Sequence, residues 1–101
     1  MDFSLATDKE ILNELSSRVK QWRLNINMTQ KDLASYCGVH VQTIKTLEGS
    51  GRVTLETVIK VLRAFNQLGS LDKILPSPGI SPIQLHKLQG KQRKAASKSK
   101  K

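Results

Sequence analysis

This chain of 101 residues has one cysteine, no long apolar run, and no acidic residue from Pro76 to the end. A lone thiol excludes an internal disulfide framework and fits a reducing compartment. No stretch approaches the roughly 20 apolar residues that a bilayer-spanning helix needs. Asp2, Asp8 and Glu10 interrupt any basic-then-apolar leader pattern, so a cytoplasmic protein that does not enter the membrane is expected. No segment alternates with period two for long enough to suggest a strand, and the chain reads as all-α. Catalytic constellations are missing too. There is no clustered carboxylate pair, no glycine loop before a lysine, and no nucleophile beside a base. His40 and His86 stand too far apart from other ligands for a metal site, so neither an enzyme nor a cofactor is expected.

What the chain does have is uneven charge. The net charge is +9, which favours polyanionic partners. Residues 1–75 hold 10 Lys/Arg against 8 Asp/Glu, whereas residues 76–101 hold 7 Lys/Arg and no acid. The first part is therefore nearly balanced, and the excess belongs to the C-terminal segment. Charge alone says little about the first part, so its sequence pattern has to carry the argument.

That pattern is densest in MTQKDLASYCGVHVQTIKTLEG, around residues 29–48. Thr29 with Asp32 predicts a capping box that opens a helix. Leu33, Ala34 and Cys37 share one face of it, and Gly38 stops it where a left-handed residue costs least. Cys37 reads as a small core residue. Ile44 and Leu47 supply the buried face of the next helix, leaving Val41, Gln42, Thr43, Lys45 and Thr46 without a core role. Two short helices joined by a glycine turn form the geometry whose second helix enters the DNA major groove.

The flanks extend the helical reading. Thr7 and Glu10 predict a second capping box, opening a helix to about Asn25 with Ile11, Leu12, Leu15, Val19 and Trp22 on its apolar face. Thr54 caps a fourth helix whose expected stripe is Leu55, Val58, Ile59, Leu62 and Phe65. A short fifth helix, about Ser70 to Leu75, presents Leu71, Ile74 and Leu75. Pro76, Pro78, Gly79 and Pro82 end the domain, giving boundaries of 1–75 and 76–101. The basic tail ends in KQRKAASKSKK and cannot bury enough apolar surface to offset its ordering entropy, so disorder is expected there.

Several residues can carry recognition. Glutamine bonds adenine N6 and N7 together, which makes Gln42 the first candidate for base readout. Val41 can meet thymine methyls. Lys45 can reach guanine or a phosphate, Thr43 base or backbone, and Thr46 lies one turn along. Phosphate contacts suit Thr29 and Gln30 at a helix start, and Arg52 beyond Gly49-Ser50-Gly51, which lets the chain approach the nucleic-acid backbone.

Leu15 to Leu75 resembles the DNA-binding domain of the lambda-repressor and Cro superfamily, the Xre family. SSRVKQWR, MTQKDLA, GVHVQTIKTLE and TLETVIKVLRAF carry the likeness over roughly sixty of the 101 residues. The resemblance implies a five-helix bundle that binds double-stranded operator DNA as a homodimer, usually to repress. It also implies an ion pair between Arg23 and Glu48. His40 departs from the family pattern, which places a serine or threonine cap there; it can cap poorly or touch a phosphate. LDKILPSPGISPIQLHKLQGKQRKA is similar to the extension of HipB-like regulators that accompany HipA-type kinase toxins. That likeness implies an autoregulated toxin-antitoxin operon, with Ile83, Leu85, Lys87, Leu88, Lys91, Arg93 and Lys94 meeting the kinase or its accessory subunit. Two alternatives stay open: an antitoxin that works mainly as a protein-interaction module, and a phage-type repressor or non-specific nucleic-acid binder.

Overall fold

The computed structural model describes residues 1–79. The tail residues named above, from Ile83 to Lys94, and the expected disorder of the C-terminal segment lie outside the described residues. Within them the protein is all-α, with no strand. A short 3-10 turn at Phe3–Leu5 leads into α1 (Asp8–Asn25), α2 (Gln30–Cys37), α3 (Val41–Gly49) and α4 (Leu55–Ala64). A second 3-10 turn at Leu68–Ser70 precedes the four-residue α5 (Leu71–Ile74). The compact unit runs from Met1 to Leu71.

Helix starts follow local side-chain chemistry. Thr7 accepts a hydrogen bond from the Glu10 backbone N–H, while Glu10 accepts from Thr7. Thr29 and Asp32 repeat that reciprocal arrangement at α2, with both bonds at 3.0 Å. Thr54 caps α4 by accepting from the Thr57 backbone N–H. Gly38 ends α2 at φ 71°, ψ 34°. The Val39 N–H donates to the Ala34 carbonyl across that turn, so a carbonyl the helix would leave open is satisfied.

α3 packs against α1 and α2, and α2 also packs against α4. Their shared core is Leu33, Ala34, Ile44, Leu47, Val61 and Phe65, flanked by half-buried Val19, Met28, Cys37, Val39, Val53 and Ala64. The Cys37 thiol donates to the Lys60 carbonyl, and burial raises its pKa.

Two apolar stripes differ from the sequence expectation. On α1, Leu15 and Trp22 are exposed, and the buried positions are Ser16 and Arg23. On α4, Leu55 is 71% exposed, Val58, Ile59 and Leu62 are half-buried, and the buried positions are Thr57 and Val61. Helical period defines an apolar face but not which edge of it turns inward. Polar residues can take the inner edge where they find partners, as Arg23 and Thr57 do. Ile74 and Leu75, the apolar residues expected at the fifth helix, are exposed.

Candidate nucleic-acid interface

The base of the site is a buried polar network. Arg23 on α1 donates from Nε and Nη2 to the two carboxylate oxygens of Glu48 on α3, at 2.6 and 3.0 Å. Its Nη1 donates to the Met28 carbonyl, and Gln30 Nε2 donates to Glu48 Oε1 at 3.1 Å. Only 8% of the Arg23 side chain and 4% of the Glu48 side chain meet solvent. Pairing with Glu48 raises the Arg23 guanidinium above its usual pKa against the opposing effect of burial. A desolvated pair gains little net stability, but its planar two-point geometry tolerates few orientations. It therefore fixes where α1, the start of α2 and the end of α3 meet.

That anchor and the inward Ile44 and Leu47 determine which side of α3 faces out. Val41, Gln42 and Lys45 are exposed, while Thr43 and Thr46 are half-buried. Gln42, Thr43 and Thr46 line an open cleft of about 310 Å³ together with Arg52, Val53, Thr54 and Thr57. The structure thus brings four of the sequence candidates together at the cleft: Gln42, Thr43, Thr46 and Arg52. Val41 and Lys45 sit on the exposed surface of the same helix, outside that cleft. Three cleft residues, Val53, Thr54 and Thr57, were not anticipated as site residues. Thr54 signalled only a helix cap, and its hydroxyl lies 3.1 Å from that of Thr57. The signal available was the three-residue spacing, which puts a cap and its N3 residue on one side.

The other candidates are more committed than their sequence suggests. The Thr29 hydroxyl already caps α2, and the Gln30 amide is engaged by Glu48. What remains at this helix start are the Gln30 and Lys31 backbone N–H groups, since those of Thr29 and Asp32 are taken by the capping box. His40 occupies the N-cap position of α3 with no side-chain cap hydrogen bond. Arg52 is exposed, and its backbone N–H donates to Ser50 Oγ.

The two glycines before Arg52 have different roles. Gly51 has φ +75°, and a Cβ there would lie 2.9 Å from Ser16 Oγ and 3.2 Å from the Leu12 carbonyl oxygen. The close approach at Gly51 is to α1. Gly49 has open space around its Cβ position. Ser16 Oγ, sealed under this loop, has no hydrogen-bond partner among the described residues. The described residues also include no group of three His, Cys, Asp or Glu able to hold a metal. No described helix is long and apolar enough to cross a membrane.

Residues 19–69 match the helix-turn-helix family. An uncharacterized HTH-type transcriptional regulator of Archaeoglobus fulgidus is 40% identical over 53 residues, covering 52% of this chain and 75% of that protein. The matched region contains Arg23 and Glu48, all of α2 to α4, and the cleft.

Proposed function

From a chain that belongs to the helix-turn-helix transcriptional regulators, we propose a sequence-specific repressor that reads operator DNA with the outward side of α3. The observation that carries this reading is the anchored recognition helix. Glu48, Ile44 and Leu47 fix its inner side, leaving Gln42 and Lys45 exposed and Thr46 at the cleft edge. In the major groove, Gln42 pairs with an adenine edge, and Val41 packs on a thymine methyl. Lys45 bonds guanine or a phosphate, and Thr43 bonds base or backbone. Arg52, His40, and the Thr29 and Gln30 helix start take phosphates, which set register without reading sequence.

One helix reads only a few base pairs. A homodimer on half-sites about 34–36 Å apart supplies the remaining specificity. The test is Gln42→Ala against a duplex selected from a random pool by the intact protein. It should lower affinity for that duplex by about 1–3 kcal/mol and spare a scrambled duplex. Equal losses on both would remove base readout from Gln42.

A narrower reading rests on the tail's similarity to HipB-like regulators: an antitoxin that represses its own operon and holds a HipA-type kinase or accessory subunit through residues 83–94. The acid-free segment suits an acidic partner surface. Hydrogen exchange of the full chain with the neighbouring gene's product tests it. Protection gained in residues 83–94 supports the reading, and a stable complex without such protection excludes it.

A further inference from the structure

The apolar surface of α4 is wider than the core requires. Val61 and Phe65 face inward with half-buried Ala64, and Thr57 lines the cleft beside α3. Leu55, at 71% exposed, and half-buried Ile59 and Leu62 occupy another side. Their spacing of four and then three residues places them in one row along the helix. Exposed Glu56 in the first turn and exposed Arg63 in the last turn border that row.

We propose that this row is where two copies of the chain meet, α4 against α4, antiparallel across a two-fold axis beside Ile59. The inference rests on the homodimer reading above and names the face that makes the dimer. A two-fold contact has to be complementary to itself, so that residue i meets j while j meets i. With the axis beside Ile59, Leu55 lies opposite Leu62 of the second copy, and Leu62 opposite its Leu55. The same register brings Glu56 to Arg63 of the second copy, twice, because the axis keeps each flank on its own side. In the parallel alternative the axis runs along the helices and exchanges the flanks, so Glu56 and Arg63 of one copy lie across the seam from those of the other and gain no charged partner. The charge pattern therefore selects the antiparallel pair. The recognition cleft stays open, since Thr57 and the Leu55 row lie on different sides of the helix.

Each charge also suits the dipole of its own helix, an acid at the start and a base at the end. That account covers the charges but leaves the leucine row unexplained, and reversing the charges separates the two. A ten-residue helix is about 15 Å long, which is small beside the roughly 800 Å² per partner of a stable interface. The contact is therefore weak in free solution and gains from two linked half-sites.

The experiment is sedimentation equilibrium of the full chain without DNA, at concentrations up to about 1 mM. Glu56→Arg and Arg63→Glu should each weaken dimerisation roughly tenfold, and the double reversal should recover it. Circular dichroism checks that each variant remains helical. Ile59→Cys in a Cys37→Ala background should oxidise to a covalent dimer, whereas Ser35→Cys on exposed α2 should not. A dimer that ignores both reversals and forms no link through position 59 overturns the α4 pairing and leaves the homodimer reading intact. A chain that stays monomeric without DNA at the highest concentration and forms no link through position 59 on the selected duplex overturns the α4 pairing, and a single copy bound to that duplex at saturation overturns the homodimer reading as well.

Discussion

α2 and α3 are neighbours of eight and nine residues, and their ends are held by different means. α2 has a reciprocal Thr29–Asp32 box at one end and a left-handed Gly38 at the other. α3 begins at His40 with no side-chain cap, and its far end is held by Glu48 bonding to Arg23, 25 residues earlier. Isolated helices this short are marginal in water. α2 therefore draws on its own sequence for its ends, whereas α3 depends on the rest of the fold. The helix we propose to read DNA is the one whose position is set by tertiary contacts, and precise placement matters for a groove.

The largest break in this comparison is expected from Arg23→Ala. Glu48 would be left buried and unpaired, at a cost of about 3–5 kcal/mol. Chemical denaturation of the free protein measures it, and an unchanged midpoint would mean that α3 does not lean on the pair. Thr29→Ala should cost about 1 kcal/mol, the usual value of a lost N-cap. A much larger loss would show α2 to be the less self-sufficient helix. His40→Ser should act in the opposite direction. It supplies the missing cap at α3 and should stabilise the protein by roughly 0.5–1 kcal/mol. No gain would mean that the first turn of α3 is already satisfied.

The smallest effect is a titration. The Thr29 backbone N–H, then its hydroxyl, hold the Asp32 carboxyl below its usual pKa, and the Thr7 backbone and hydroxyl do the same for Glu10. A carboxylate depressed in the folded state contributes stability above its unfolded pKa, near 4, and loses it as pH falls through the folded value. Acid unfolding of Asp32→Asn should therefore show a shallower stability loss below about pH 4 than the unaltered chain. Matching curves would remove Asp32 from the acid response.

The same division separates what was legible beforehand. The starts of α1, α2 and α4 and the stop of α2 were readable, because a threonine, an acid three residues on, or a glycine acts within one turn. Leu33, Ala34, Ile44 and Leu47 were legible from spacing within the motif. The inward edges of α1 and α4 were not. Ser16, Arg23 and Thr57 are polar, and nothing in the helical period sends them inside ahead of Leu15 or Leu55. Arg23 and Glu48 were paired only through resemblance to a family, since 25 residues separate them and neither predicts the other. The need for glycine at position 51 was not legible either, because the Ser16 and Leu12 atoms it packs against come from α1.

The sequence by itself determined where α1, α2 and α4 begin and where α2 ends, because capping hydrogen bonds and a left-handed glycine act on groups a few residues away. It also determined which residues of α3 are apolar enough to turn inward. Only the tertiary structure decided that Arg23 and Glu48 share a desolvated bond, that Thr54 and Thr57 join Gln42 and Arg52 at one cleft, and that Leu55 remains outside. Those outcomes depend on how several helices share one small core. There, burying one edge of an apolar face excludes another, and a charged residue such as Arg23 can enter where a partner from a distant part of the chain satisfies it.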